Sequence, residues 1–361
     1  MAPPSRRIDA TRLKSIALVR SALLAGAREH FEREGLVELR VPVVADLTGA
    51  CENVSSVLAL RDSPGVALTQ TGQLALERVL EITDGVWCLT GSYRRETVDE
   101  RHLSEFELLE EEVSSRHPAV ARFAPSGDAT GLFDNLIERV TETIKAMVRE
   151  AVTRCPNEIE RLGGETGPLI EMLDRSFPVV SYEDALEILA GTDGTRDVTW
   201  GDDLRREDEL ALLTALAPAS AMTRPVIVTR FPEQIKFFNM KLNRQDKRVV
   251  YSADLLLPGV GEAVGAAVRE DDPDVLVERF NRLMLPRLRQ QLSSEGAGLE
   301  MFSAYLAAVG AGRIGPHAGY GVGLERVLQY VVAEQDIRYV SMPWMLRQPV
   351  AESPGPPAHG G

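Results

Sequence analysis

The stretch that decides the fold is Gly315-Pro316-His317-Ala318-Gly319-Tyr320-Gly321-Val322-Gly323-Leu324-Glu325-Arg326. Gly319, Gly321 and Gly323 alternate, and alternate residues of a strand face the same side. Three glycines in this register leave one face of the strand bare, so that a planar ring could lie against the backbone. Helical spacing of apolar residues begins just after Arg326, which places this cation where a strand meets a helix. The pattern predicts a nucleotide site; a glycine-rich turn in a core is the alternative.

The composition is that of a globular chain with an acidic balance. The 361 residues are 44% hydrophobic and carry a net charge of -14. No apolar run reaches the roughly 18 residues of a membrane span, and no secretory signal is recognisable, so we expect no membrane association. The sparse, widely spaced Cys51, Cys88 and Cys155 fit reduced thiols and predict a cytoplasmic protein. The charge excludes broad, sequence-blind binding of nucleic acid but allows a local basic cleft.

Periodicity predicts an α+β fold. Apolar residues at three- and four-residue steps predict helices over 12–34 and 133–148, and shorter ones near 73–82 and 275–292, the last broken near Pro286. The predicted strands are 36–42, 67–71, 86–89, 226–229, 237–240, 249–257 and 263–268. Most of these strands are joined by hairpins and do not alternate with helices. The sequence therefore predicts an antiparallel sheet flanked by helices.

A polar hairpin over 91–102 is the first candidate for binding chemistry. It contains Arg94, Arg101 and His102, and Phe106 lies on the following strand. Guanidinium groups are planar, always charged and bidentate, which suits phosphate oxygens, and an aromatic ring can stack on a base. The alternative is a solvated, salt-bridged hairpin with Phe106 in the core.

A pair of carboxylates is the second candidate. Asp254 and Glu262 lie eight residues apart, on either side of a Pro-Gly turn that would join two strands. Two protein oxygens, with phosphates supplying more, are a usual way to hold Mg²⁺. The pattern predicts a magnesium site, although a hairpin with two unrelated acids would look the same.

Together these parts resemble the catalytic domain of the class II aminoacyl-tRNA synthetases. Within that class the similarity is to the aspartyl/asparaginyl branch, and closer to asparaginyl. The first helix, strand and Pro42 resemble motif 1. The remaining segments that carry the resemblance are Tyr93-Arg94-Arg95-Glu96, Arg101-His102-Leu103-Ser104-Glu105-Phe106, Trp200-Gly201-Asp202-Asp203-Leu204, Leu257-Pro258-Gly259-Val260-Gly261-Glu262 and Gly321-Val322-Gly323-Leu324-Glu325-Arg326.

The resemblance implies a class II synthetase-type sheet, a homodimer, and ATP, Mg²⁺ and an amino acid as ligands. It implies catalytic roles for Arg94, at the α-phosphate and the reacting carboxylate, and for Arg326, which would sandwich adenine against Phe106. The remaining positions that it assigns to ATP are Glu96, Arg101, His102, Gly321 and Gly323. The positions that it assigns to the amino acid are Glu52, Gln73, Glu77, Arg269 and His317, and those that it assigns to the metal are Asp254 and Glu262.

The expected organisation follows from the resemblance. Residues 1–10 are expected to be a flexible arm, 11–348 a catalytic domain with a helical insertion over about 115–222, and 349–361 a disordered tail rich in proline and glycine. The branch's anticodon-binding β-barrel is expected before the first helix and is not in this sequence. An arginine expected shortly before Pro316 is replaced by Ala311 or Gly312, with Arg313 nearby.

Three functions remain open at this stage. The main hypothesis is a ligase that activates aspartate or a related amino acid as an acyl-adenylate and transfers it to ammonia or a small amine, forming an amide. The alternative is a truncated synthetase that charges a tRNA or a carrier protein; tRNA is possible but not favoured, given the net charge of -14. The third is a non-catalytic dimer used for binding.

Overall fold

The computed structural model describes residues 8–45, 54–61, 63, 66–124, 127–192, 194, 196–217, 224–287, 299–348 and 350–351. The helices are α1 (Ala10–Arg33), α2 (Gln73–Val79), α3 (Pro118–Ala121), α4 (Ala129–Arg154), α5 (Pro156–Leu162), α6 (Thr166–Leu173), α7 (Tyr182–Ala190), α8 (Arg206–Ala215), α9 (Pro273–Arg279), α10 (Leu299–Gly310), α11 (Leu324–Val332) and α12 (Met342–Met345). The strands are β1 (Ile8–Asp9), β2 (Val37–Glu38), β3 (Val44–Ala45), β4 (Leu58–Ala59), β5 (Ala67–Leu68), β6 (Gly85–Tyr93), β7 (Glu105–Ser114), β8 (Val179–Ser181), β9 (Val226–Thr229), β10 (Ser252–Leu257), β11 (Gly261–Val268), β12 (His317–Gly323) and β13 (Val350–Ala351).

One large sheet organises the molecule, in the strand order β2-β6-β7-β12-β11-β10-β9-β8. Its inner pairs are antiparallel, and only the outermost pairs, β2 with β6 and β8 with β9, are parallel. The predicted α+β fold with a mostly antiparallel sheet is therefore confirmed. The glycine-rich strand β12 lies at its centre, between β7 and β11.

Helices α1 and α4 form the layer that covers one face of the sheet. Asp9 and Asp128 cap their first turns by accepting backbone N–H groups. The two helices approach closely at Gly26, where a Cβ atom would overlap the carbonyl oxygen of Ala146. Buried residues of both helices form the main core with the sheet, among them Ile16, Val19, Leu23, Leu136, Ile144 and Met147. The opposite face of the sheet is left for the site.

The structure corrects several predicted elements. The predicted strand 36–42 is reduced to Val37–Glu38, ahead of Pro42. Residues 237–240 are not a strand: Met240 forms only an isolated antiparallel bridge with Arg269, and the buried Arg279 guanidinium donates to the carbonyl oxygens of Phe237 and Met240.

The distortion expected near Pro286 lies just before that proline, and helical backbone continues after it over 285–287. Helix α9 passes at its C-terminal end into a π-helical turn, Phe280–Met284. Proline has no backbone N–H, so a regular α-helical bond to the preceding turn is impossible there.

The predicted arm and tail also change at their inner ends. Ile8–Asp9 pairs in parallel with Val350–Ala351, and α1 begins at Ala10, so these residues belong to the folded structure. Residues 1–7 and 352–361 lie outside the described residues. The range 115–222 holds α3 to α8 but also strand β8, which extends the large sheet. No described helix combines the length and the apolarity that a membrane crossing needs.

Glu325, at the start of α11, is a buried carboxylate that makes stability depend on pH. It accepts the Glu107 backbone N–H at 3.1 Å, and burial raises its pKa from 4.5 to about 8. The folded chain therefore binds this proton more tightly than the unfolded chain, so the stabilising effect of the proton, complete below pH 4.5, is lost as the pH rises through 8.

We predict that Glu325→Gln, which keeps the acceptor but cannot ionise, flattens this decline. Between about pH 5 and 8 the wild type should lose roughly 1–3 kcal/mol of unfolding free energy relative to the variant, as measured by urea denaturation at a series of pH values. Parallel curves for the two proteins would contradict the prediction.

Candidate active site

A cavity of about 290 Å³ lies on the open face of the sheet, over β7, β12, β11 and β10. It is lined by Thr71, Gln73, Arg94, Phe106, Leu108, Glu110, Glu112, Lys236, Phe237, Met240, Asp254, Glu262, Ala263, Gly265, Ala266, Arg269, Tyr320, Gly321, Gly323 and Arg326. The sequence separates these residues by more than 250 positions. The pairing of β12 with both β7 and β11 brings them together.

One end of the cavity has the features expected of a purine slot. The Arg94 guanidinium lies 5.0 Å from the centre of the Phe106 ring. Phe106 is on β7, which pairs with the strand β12 that carries Gly321 and Gly323. Arg326 is held by a hydrogen bond of 3.0 Å from its guanidinium to the Glu262 carbonyl oxygen. An aromatic ring, a glycine floor and a positioned cation thus border the same space.

A second cavity of about 540 Å³ adjoins the first and shares Glu262 and Arg326 with it. Arg101 and His102 line this outer cavity, where Arg101 lies 3.7 Å from Glu207 and His102 lies 3.0 Å from Asp99. Both are therefore next to the purine slot but outside it. Their place agrees with a role at outer phosphates.

The predicted metal residues lie at the junction of the two cavities. Asp254 is buried, and one of its oxygens accepts from Lys236 Nζ at 2.5 Å. Burial raises the pKa of Asp254 to about 7, against the attraction of Lys236. Glu262 is exposed and lines both cavities. Asp254 and Glu262 supply hard carboxylate oxygens to the same cavity, so the residues present fit Mg²⁺.

Glu209, on α8, is a third carboxylate at this junction. Its Oε2 accepts the backbone N–H of Glu262 at 3.0 Å. Burial and the nearby charge of Glu262 raise the pKa of Glu209 to about 8. Glu209 also lines the outer cavity, and its contact with the Glu262 backbone stabilises the strand that carries Glu262.

The inner end of the cavity is a buried network of charges. Arg269 donates to Glu112 at 2.5 Å and lies 3.8 Å from Glu77. Glu77 in turn contacts His317 Nε2 at 3.1 Å and accepts from the Gln73 amide at 2.7 Å. Every cation of this network faces at least one carboxylate, which offsets the cost of burying the charges.

The network raises the proton affinity of two of its members, Glu112 and His317. Burial raises the pKa of Glu112 to about 7, against the attraction of Arg269. Burial lowers the pKa of His317, but the hydrogen bond and charge of Glu77 outweigh it, so the pKa is raised above its usual value. The second ring nitrogen of His317 contacts the Gly315 carbonyl oxygen at 2.8 Å, which fixes the ring.

The structure places most of the predicted residues at the cavities. Gln73 and Arg269 line the inner end, whereas Glu77 and His317 lie behind the wall and orient those two residues. Glu96 is half-buried in the loop after β6 and is not among the residues that line either cavity. Glu52 lies outside the described residues.

Four acids and bases of the site were missed by sequence reasoning. Glu110 and Glu112 follow Phe106 at two-residue steps on β7, a signal that could have placed them on the same face. Lys236 follows a short 3₁₀ turn, Glu233–Ile235, and Glu209 lies on a charged helix. Neither of the latter two carries a periodic signal.

The structure also shows where Arg313 and the residues before Arg269 lie relative to the cavities. Arg313 turns to the surface, 3.5 Å from Glu81, and does not line the described cavities. Ala267 and Val268, which precede Arg269, are buried in apolar clusters. These two positions therefore contribute packing, whereas Ala266 lines the cavity.

An antiparallel sheet with a glycine-floored slot, flanking arginines and paired carboxylates defines a class II-type nucleotide-activating domain. The chain matches the family described as tRNA synthetases class II (D, K and N) over residues 5–343. It belongs to that family. The predicted class of enzyme, an ATP-dependent, adenylate-forming ligase, is confirmed at this level.

Individual relatives agree with the family. The asparagine–tRNA ligase of Pyrococcus abyssi is 31% identical over 338 residues, which cover 93% of this chain and 69% of the relative. The asparaginyl-tRNA synthetase of Mus musculus is 29% identical over 358 residues, which cover 93% of this chain and 68% of the relative. The crystal structure of asparaginyl-tRNA synthetase from Pyrococcus horikoshii, complexed with asparaginyl-adenylate, superimposes with a TM-score of 0.76 at 30% identity, covering 91% of this chain and 68% of that one.

Two glycines of β12 allow the floor of the slot to be tested separately from the fold. A Cβ atom at Gly319 would overlap the Glu112 carboxylate, whereas one at Gly321 would lie 3.6 Å from Glu110 Cγ, an ordinary contact. We predict that Gly319→Ala lowers the unfolding free energy by about 1–3 kcal/mol. Gly321→Ala should leave stability within about 0.5 kcal/mol and weaken ATP binding about tenfold.

Urea denaturation and calorimetric ATP titration of the two variants make the comparison. Equal destabilisation by both substitutions would argue against the close approach at Gly319. Unchanged ATP affinity in Gly321→Ala would argue against the slot.

Proposed function

We propose that this chain activates asparagine with ATP as an aminoacyl-adenylate and transfers the aminoacyl group to a tRNA. The observation that carries the proposal is the continuity of the site. Phe106 and Arg326, at the predicted purine slot, line the same cavity as Gln73 and Arg269 of the inner wall, and Arg94 lines it too. A nucleotide and an amino acid bound there would share one space that Arg94 borders.

The chemistry of activation follows from charge. The substrate carboxylate is already a nucleophile at neutral pH, so the first step needs no general base. The site has to align this carboxylate with the α-phosphorus, and Arg94 and Arg326 offset the negative charge that develops there. Asp254 and Glu262 would hold Mg²⁺, which would neutralise phosphate charge when bound. Pyrophosphate would leave towards Arg101 and His102 in the outer cavity.

The inner wall favours an amide side chain over a carboxylate. Arg269 already faces Glu112 and Glu77, so it has little attraction left for a third carboxylate. Glu110 and Glu112 add negative charge to the same wall. Gln73 Oε1 is buried and has no hydrogen-bond partner among the described residues, which suits a donor from the substrate such as its ammonium group.

The choice of acceptor rests on the relatives. The relatives named above are tRNA ligases of asparagine type, and nothing among them supports transfer to ammonia or a small amine. The expectation that tRNA is not favoured is therefore replaced by a tRNA acceptor. The homodimer stays a prediction.

The first test is ATP–pyrophosphate exchange across the amino acids. We expect exchange with asparagine to exceed exchange with aspartate by at least about tenfold, because the inner wall lacks an unneutralised cation. Faster exchange with aspartate than with asparagine would contradict the claim that the inner wall favours an amide over a carboxylate. Exchange with none of the amino acids would contradict the proposed function itself.

Arg94→Ala tests the centre of the site. Loss of a positioned charge at the transition state should lower the exchange rate by about 100-fold or more without unfolding the chain. The matched control is Arg95→Ala, because Arg95 is exposed and its guanidinium donates to the Ser55 carbonyl oxygen at 3.0 Å. Exchange by Arg94→Ala within twofold of the control would remove Arg94 from the mechanism.

The acceptor is tested after exchange is established. Radiolabelled asparagine should appear on tRNA in an ATP-dependent reaction, and ammonia or hydroxylamine should not replace the tRNA. Amide or hydroxamate formed at an equal rate without tRNA would instead support the small-amine acceptor.

A further inference from the structure

The hairpin that carries the predicted metal ligands is held from outside the sheet by helix α8. Glu209 Oε2 accepts the Glu262 backbone N–H at 3.0 Å, and the Arg206 guanidinium donates to the Gly259 carbonyl oxygen at 2.9 Å. Gly259 lies within the tight turn between β10 and β11, and Glu262 is the second residue of β11. The first turn of α8 therefore holds both the turn and the start of the strand that follows it.

Gly261 shows how closely the Glu209 carboxylate approaches. Its φ of +97° is a backbone conformation that favours glycine, and a Cβ atom there would overlap Glu209 Oε2. The pairing of the two strands also shifts between Leu255 and Leu256, so the ladder alone does not hold Glu262 in regular register. The hydrogen bond that Glu209 accepts from the Glu262 N–H fixes the backbone of β11 just beyond that irregularity.

Helix α8 is itself well anchored. Asp208 accepts the Arg205 backbone N–H at 2.8 Å and the Arg196 guanidinium at 3.0 Å. The buried Leu212 and Leu213 pack the helix into a separate apolar cluster with Tyr182 and Phe231. A rigid support of this kind can orient a ligand that it does not replace.

We propose that Glu209 is a positioning residue for the divalent cation: it fixes the backbone of Glu262 so that the Glu262 carboxylate faces Asp254 across the cavity. This inference rests on the proposed function, because it takes Asp254 and Glu262 as the metal ligands. Glu209 acts through Glu262 and need not contact the ion. The α7–α8 region is thereby coupled to the site through the first turn of α8.

The test measures metal binding directly. Mn²⁺ is titrated into the full chain with a non-hydrolysable ATP analogue, and bound Mn²⁺ is followed by electron paramagnetic resonance. Glu209→Ala should raise the Mn²⁺ dissociation constant by about tenfold or more, the range usual for residues that orient metal ligands. Glu209→Gln should stay within about threefold of the wild type, because its amide oxygen can still accept the N–H.

Two further variants make the outcome decisive. Glu187→Ala, an exposed glutamate on α7, is the control for loss of a nearby negative charge and should not change Mn²⁺ binding. Glu209→Asp keeps the charge but withdraws the oxygen by one methylene, so it should weaken binding, and it replaces Glu209→Ala if the latter does not fold. Wild-type affinity in Glu209→Asp, or equal loss in Glu209→Gln and Glu209→Ala, would overturn the positioning role.

Glu262→Ala and Asp254→Ala separate this inference from the proposed function. Both should abolish the Mn²⁺ signal that depends on the nucleotide analogue. Unchanged Mn²⁺ binding in both would reject the metal site and with it that part of the proposed function. Loss in both, together with unchanged binding in Glu209→Ala, would reject the positioning role alone.

Discussion

The ion pair between Arg269 and Glu112 is the contact on which the inner half of the site depends. It joins β7 to the end of β11 across the intervening β12, and this is possible because Gly319 leaves room for the Glu112 carboxylate. Glu77 extends the same network to α2, and His317 closes it on β12. One set of buried charges therefore fixes three central strands and a helix relative to one another.

The two ends of the cavity are held by different kinds of interaction. At the end bordered by Phe106 and Arg326, the backbone of Gly321 and Gly323 forms the floor of the cavity. The space is open there because these two glycines have no side chains. At the inner end, the space is set by charges that neutralise one another. Lys236, which pairs with Asp254, extends this neutralisation to the metal ligands. Glu77, Glu112 and Asp254 each face a cation, which offsets the cost of burying these three acids.

The sequence predicted that Phe106, Gly321, Gly323 and Arg326 would border one space, and all four line one cavity. The signals are local, because the alternating glycines with Arg326, and the polar hairpin with Phe106, are each short segments in which strand periodicity is enough to orient the side chains. Sequence could not show that Glu77 and His317 lie behind the wall. That distinction depends on how α2 packs on β7, a contact between segments far apart in the chain. Glu209 was missed for the same reason: its partner is a backbone N–H 53 residues away.

The contrast between the two ends has a consequence for how the site can change. Removing one member of a buried ion pair typically costs about 3–5 kcal/mol, a large part of the roughly 5–15 kcal/mol that keeps a domain folded. Arg269 and Glu112 can therefore change only together, or with a compensating change at Glu77. At the nucleotide end no such pairing constrains Phe106, which is half-buried and contacts its neighbour Arg94 by stacking. The inner end is thus the more constrained half of the cavity, and its lining would have to change by exchange of whole charge pairs rather than of single residues.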